Sequence, residues 1–235
     1  MPAASNGLPL PLDGSLMLAQ LRLRWELHFQ EFVERAAGSA DAAHDLEHIR
    51  RVVGNAIMLA EMEQADLGVV LPAAWLHDCV VIAKDSPVRR QASTLAAQAA
   101  ETFLRSIAYP EQYLPAIHHA IIAHSFAANI TPRSLEAQVV QDADRLDALG
   151  AIGLARCLMV GGALGRRLYD PQAPFPADRP LDDQRNTIDH FYVKLLQLPD
   201  HMQTRAGRAE AHTRADFLRA FLARLGHELR LAGQW

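Results

Sequence analysis

The sequence predicts an all-α fold, and three observations carry that expectation. Aromatic residues are only 6% of the 235, while Ala and Leu are plentiful, a balance that favours helix over sheet. Apolar residues recur at helical spacing along most of the chain, and no stretch alternates convincingly with period two. A capping residue followed by proline recurs at Ser86-Pro87 and Thr131-Pro132, with Tyr109-Pro110 in the same pattern, as at helix starts.

The elements follow in order. Leu16 to Ala37 reads as a first helix, with Leu16, Ala19, Leu23, Leu27 and Phe32 near one side and Gly38 as its stop. Ser39 or Asp41 caps a second helix running to about Glu63. A third opens near Leu71-Pro72 and carries Leu76, His77, Asp78, Val80 and Val81. The fourth runs from Ser86-Pro87 through Ile107, and the fifth from Tyr109-Pro110 through His124. Thr131-Pro132 opens a long sixth helix reaching roughly Val160. Glycines and prolines between 161 and 181, decorated by Arg166, Arg167 and Arg179, make a loop. Two further helices cover about 182–197 and 200–230, separated by Pro199.

Composition narrows the function classes. At 235 residues, half of them apolar and 21% charged, the chain can bury a sizeable core. A net charge of −4 lacks the clustered basic excess of a nucleic-acid or membrane-surface binder, so neither partner is expected. Cys79 and Cys157 sit in apolar, helix-like surroundings without a CxxC, and read as small buried thiols that fit a reducing cytoplasm. Residues 1–14 read as a loose N-terminal tail with no basic region that would make a signal peptide. No window of about 20 apolar residues is free of charge, so no membrane span is expected.

Three segments carry chemistry: His44-Asp45-Leu46-Glu47-His48 with Arg51-Val52 and Asn55 behind it, Leu76-His77-Asp78, and Asp142-Ala143-Asp144-Arg145-Leu146-Asp147. His44 and His48 share a helix face, as do Asp144 and Asp147, whereas Asp142 points elsewhere. Each alone has a bland reading. An i,i+4 histidine pair is common on ordinary helices, a His-Asp dipeptide arises by chance, and three acids can form a solvated stripe. Together they offer two imidazoles and at least two carboxylates on separate helices, the way a helical bundle builds a metal site. Mixed nitrogen and oxygen donors suit a divalent transition metal better than Ca²⁺. Four protein ligands leave room for water and substrate, as a catalytic site requires. The absence of GxxxxGK[ST] argues against a P-loop ATPase.

His48 followed by Arg51-Val52, the His77-Asp78 doublet and the later Ala143-Asp144 resemble the ordered H…HD…D signature of the HD phosphohydrolase superfamily. His44-Asp-Leu-Glu-His48, Gln141-Asp-Ala-Asp-Arg-Leu-Asp-Ala-Leu-Gly-Ala-Ile-Gly and Arg179-Pro-Leu-Asp-Asp are similar to the small bacterial YedJ/YpgQ-like HD hydrolases. This resemblance implies an HD-domain helical bundle forming a single globular domain over residues 15–235. It also implies one divalent metal held by His48, His77, Asp78 and Asp144. Mn²⁺ is the first choice, with Ni²⁺, Co²⁺, Fe²⁺, Zn²⁺ and Mg²⁺ as others. Asp142 stands as a rival to Asp144, and His44 as a weaker rival to His48.

The implied activity is hydrolysis of a phosphate compound. The narrower group points to nucleoside triphosphates cleaved to monophosphate and pyrophosphate. A nucleotidase or phosphomonoesterase would use the same metal site, and a non-catalytic nucleotide-binding regulator is a third class. Water activated by the metal attacks phosphorus, and fixed cations meet the developing charge. Lys84 and Arg89, about two turns of chain beyond Asp78, are candidates for those cations, or else plain surface charge. Asp147 and Asp45 are candidates for orienting the water or the ligands, the alternatives being an ion pair of Asp147 with Arg145 or Arg156 and a helix cap by Asp45. His44 and His124 join Arg89 as candidate substrate contacts, and His124 reads equally as a core histidine. The arginines of the 161–181 loop are placed to close over a polyphosphate. The expected partner is a small phosphate substrate, and dimers are common in the superfamily.

Overall fold

The computed structural model describes residues 14–36, 46–80, 82, 91–125, 128–176 and 179–231. The expected tail and the caps at Ser39 and Asp41 lie outside them, as does the Ser86-Pro87 start. Among the described residues there are helices and no strand, with one isolated bridge between Arg167 and Asn186. The all-α expectation holds.

The first predicted helix is a near-continuous rod: α1 (Gly14–Leu21), a wide π turn (Arg22–Glu26) and α2 (Leu27–Ala36). Its buried stripe differs from the predicted side. Leu21, Trp25, Phe29 and Val33 face the core at four-residue intervals, while Leu16, Leu23 and Leu27 are exposed. The large aromatic rings bury more apolar area than the leucines, and Trp25 sits 4.8 Å from the Tyr109 ring.

Two helices at the centre, α3 (Leu46–Glu63) and α4 (Leu67–Leu76), form a hairpin. Asp66 caps α4 by accepting from the Gly68 N–H at 2.8 Å. Every residue of α4 is buried. The predicted start at Leu71-Pro72 is therefore too late, since Pro72 lies inside the helix. Proline has no N–H for the carbonyl four residues back. That carbonyl belongs to Gly68, and the Tyr109 hydroxyl donates to it at 2.6 Å. The helix also ends earlier than predicted, so His77 and Asp78 follow its last turn instead of lying within it.

Around the hairpin pack α5 (Ala92–Ser106), α6 (Leu114–His124) and α7 (Leu135–Leu146), the last capped by Ser134. The predicted long sixth helix is two helices. The chain turns 60° between α7 and α8 (Gly150–Ala163). Gly150 takes φ +68, which residues with a Cβ rarely adopt, and a Cβ at Gly153 would run into the Ala148 carbonyl. Beyond the 164–186 loop come α9 (Thr187–Val193), a 3₁₀ segment (Leu195–His201) that contains Pro199, and α10 (Arg205–Leu231), which crosses α3, α7 and α8. No single described helix is long and apolar enough to cross a membrane; α7 and α8 qualify only as a bent pair.

Candidate metal centre

Four helices deliver polar side chains to one place in this apolar core. His48 lies in the first turn of α3, His77 and Asp78 follow α4, His124 ends α6, and Asp144 is in the last turn of α7. One donor atom each from His48, His77 and Asp78 lies within 4.8 Å of the other two, so these three can hold a metal ion. Asp144 Oδ1 is 3.4 Å from His48 Nε2 and 4.0 Å from His77 Nε2. Asp78 Oδ2 is 3.7 Å from His77 Nε2, and its Oδ1 is 3.4 Å from His124 Nε2. Ligands about 2.1 Å from one ion lie roughly 3 to 4 Å apart, which is the spacing found.

Hydrogen bonds on the outer side of each ring fix the tautomers. His48 Nδ1 contacts Asp147 Oδ2 at 2.7 Å, His77 Nδ1 the Ala74 carbonyl at 2.8 Å, and His124 Nδ1 the Ile121 carbonyl at 2.6 Å. A carbonyl or an ionised carboxylate only accepts, so each Nδ1 carries a proton. In the neutral rings Nε2 is then a bare lone pair turned inward. His77 Nε2 is buried with no hydrogen-bond partner among the described residues. Such an orphan is costly in a core, and a cation resolves it. The donor set fits a divalent metal.

The electrostatics set the three rings apart. Burial alone would lower the pKa of His48, but its hydrogen bonds to Asp144 and Asp147 outweigh that and carry it up to about 9. Burial keeps His77 below its ordinary value, and so neutral. At His124 burial is outweighed by the bond to Asp78, and the pKa is raised. Asp144 is held well below the usual carboxylate range because its contact with His48 and the neighbouring imidazoles overcome burial. Asp147 falls to about 2, with burial overcome by His48, Arg51 and Arg156.

Some candidates sit elsewhere. Asp142 faces away from the centre and accepts from Gln203 N, Thr204 N and Thr204 Oγ at 2.8–3.1 Å, locking the start of α10 to α7. Asp147 grips the outer nitrogen of His48 and pairs with Arg51 and Arg156, not with Arg145. Two other histidines of α6, not among the candidates, are engaged locally: His118 pairs with Glu101, and His119 accepts from the Arg133 N–H. Arg179 is committed to a fork on Asp189 at 2.6 and 2.7 Å and to the Ala173 and Pro180 carbonyls, so it braces its loop and is not positioned to close over a ligand. His44, Asp45, Lys84 and Arg89 lie outside the described residues. Cys79 is a free, buried thiol as expected, whereas Cys157 is free but only half-buried. The Asp147–Arg156 ion pair was among the alternatives that the sequence offered; what sequence reasoning left out is Arg51, which completes the clamp.

Residues 45–149 match the HD domain family. YpgQ of Bacillus subtilis strain 168, an uncharacterized protein, is 32% identical over 202 residues, which span 84% of this chain and 90% of YpgQ. The chain belongs to the HD-domain family. An HD-superfamily hydrolase from Bacillus thuringiensis superposes on this HD-domain protein with a TM-score of 0.68 at 32% identity, covering 93% of this chain and 99% of its own. YpgQ in complex with ADP gives 0.65 at 31% identity over 92% and 97%. The class that its membership brings is hydrolase.

Proposed function

We propose that this HD-domain protein is a metal-dependent nucleotide phosphohydrolase that cleaves nucleoside triphosphates to monophosphate and pyrophosphate. The observation that carries the reading is the convergence of the His48 and His77 Nε2 atoms with oxygens of Asp78 and Asp144. The ADP held by its relative YpgQ supports a nucleotide as ligand.

In this reading His48, His77, Asp78 and Asp144 hold one divalent cation, with Mn²⁺ the first choice. When bound, that ion polarises a phosphoryl oxygen and lowers the pKa of water towards neutrality. The chain supplies the rest. The imidazoles form a dry wall, at 3% and 0% exposure, while Asp78 and Asp144 keep 28% and 29% and so mark the open side where a phosphate approaches. Asp147 positions His48 instead of meeting the water. His124, beside Asp78 Oδ1, contacts the substrate. His44, Asp45, Lys84 and Arg89 keep their proposed roles: His44 and Arg89 at the substrate, Lys84 on phosphate charge, and Asp45 in orienting ligands. The cytoplasm is the proposed location.

The test is a panel of nucleoside mono-, di- and triphosphates supplied with Mn²⁺, with the products identified. Pyrophosphate and monophosphate from triphosphates are expected. Orthophosphate alone would indicate a monoesterase or nucleotidase, and binding without turnover a regulator. His77→Ala and Asp78→Ala should each abolish turnover and metal uptake; survival of both properties would refute the site.

A further inference from the structure

Asp147 is almost fully buried, yet both of its oxygens are occupied. Arg51 Nε donates to Oδ1 at 2.7 Å and Arg51 Nη2 to Oδ2 at 3.2 Å. Arg156 Nη1 donates to Oδ2 and also reaches the Asp147 main-chain carbonyl at 3.4 Å. His48 Nδ1 takes the remaining direction of Oδ2 at 2.7 Å. The two arginines come from opposite sides. Arg51 lies on α3, three residues after His48, whereas Arg156 lies on α8, beyond the 60° turn. Arg51 therefore ties the carboxylate to the helix that carries His48. Arg156 ties both the carboxylate and its backbone to the helix across the bend.

We infer that Arg156 is a positioning residue for metal capture: acting through Asp147, it holds the His48 ring so that Nε2 aims at the cation. This rests on the metal-centre reading above. A carboxylate pinned by the Arg51 fork and by Arg156 Nη1 presents Oδ2 to the imidazole in a fixed direction, which sets both tautomer and ring angle, and groups behind a metal ligand commonly govern affinity in this way. Arg156 Nη1 lies on the Nδ1 side of His48, 3.4 Å from that nitrogen. The ring stands between it and the inward-facing Nε2, so Arg156 is placed behind the ligand and not beside a substrate phosphate.

The experiment is a titration of Mn²⁺ alone into the metal-free protein, wild type against Arg156→Gln, Arg156→Lys and Asp147→Asn. Asp147→Asn should weaken Mn²⁺ binding by about 10–100-fold, and Arg156→Gln by roughly tenfold, near the lower end of the range for such supporting groups. Arg156→Lys keeps a charged donor for Oδ2 and should recover most of the loss; it also serves if Arg156→Gln does not fold. In the Asp147→Asn background Arg156→Gln should add almost nothing, because its effect passes through Asp147. At saturating Mn²⁺ the KM for nucleotide should stay at the wild-type value. Wild-type Mn²⁺ affinity in Arg156→Gln overturns the inference, as does a full loss repeated in the Asp147→Asn background or a rise in KM alone. A wild-type protein that takes up no Mn²⁺ refutes the metal-centre reading, and this inference with it.

Discussion

His48 should make metal binding a competition with a proton. In the metal-free protein its pKa stands at about 9, with burial opposed and overcome by Asp144 and Asp147. At pH 7 the ring is then free of its Nε2 proton about one time in a hundred, and each pH unit below 9 should weaken apparent Mn²⁺ affinity about tenfold. The sign follows from the raised value. In the metal-free chain this group's contribution to stability is complete below about 6.5 and is lost as pH rises through about 9. Stabilisation by Mn²⁺ runs the other way and grows over the same window. Calorimetric titration at pH 7 and 8, in buffers of different ionisation enthalpy, reads both quantities. About one proton should leave per Mn²⁺ bound, with roughly tenfold tighter binding at pH 8. His124 is also raised, so the titration is repeated in His124→Gln, where the surviving release belongs to His48. Mn²⁺ binding that is flat across this range and releases no proton would refute the argument.

Other perturbations separate structural groups from ligands. Asp142→Ala strips the acceptor from two backbone N–H groups and the Thr204 hydroxyl; urea unfolding should show a loss of about 2–4 kcal/mol, with Mn²⁺ affinity unchanged. Tyr109→Phe bares the Gly68 carbonyl left without its helical donor by Pro72 and should cost about 1–3 kcal/mol in the same assay. Pro72→Ala, which returns an N–H, should recover part of that loss; if it adds a further penalty, the pairing is wrong. Arg179→Ala leaves the buried Asp189 carboxylate without its fork and should cost about 3–5 kcal/mol. Below the melting temperature the nucleotide KM should be unaffected, and a selective rise for triphosphates would restore this arginine to the substrate.

How much could be read beforehand depended on whether a signal was local. The His48, His77-Asp78 and Asp144 segments were visible through their order along the chain, and His77-Asp78 also because it interrupts an apolar run, where polar groups are conspicuous. Preferring Asp144 to Asp142 followed the Ala143-Asp144 pair of the resemblance, with helix geometry adding only that the two point to different sides, and the two carboxylates do face different ways. Pro72 misled because proline is read as a start signal. Its interior position works only with a hydroxyl from Tyr109, 37 residues later, closing the gap. The turn between α7 and α8 was hidden by continuous helical periodicity, although Gly150 and Gly153 marked it. Of the Arg51–Asp147–Arg156 clamp only the Arg156 side, nine residues after Asp147, stood among the alternatives; Arg51, 96 positions before it, gave no local signal.

The elbow at residues 147–149 works as a spacer of fixed length. Asp144 closes the helix on one side, Asp147 opens the turn, and Arg156 returns from the other. One inserted residue would lengthen this non-helical link and reset the 60° turn between α7 and α8, carrying Arg156 off its mark. Grafting this scaffold, or varying its length, therefore has almost no latitude in these three residues.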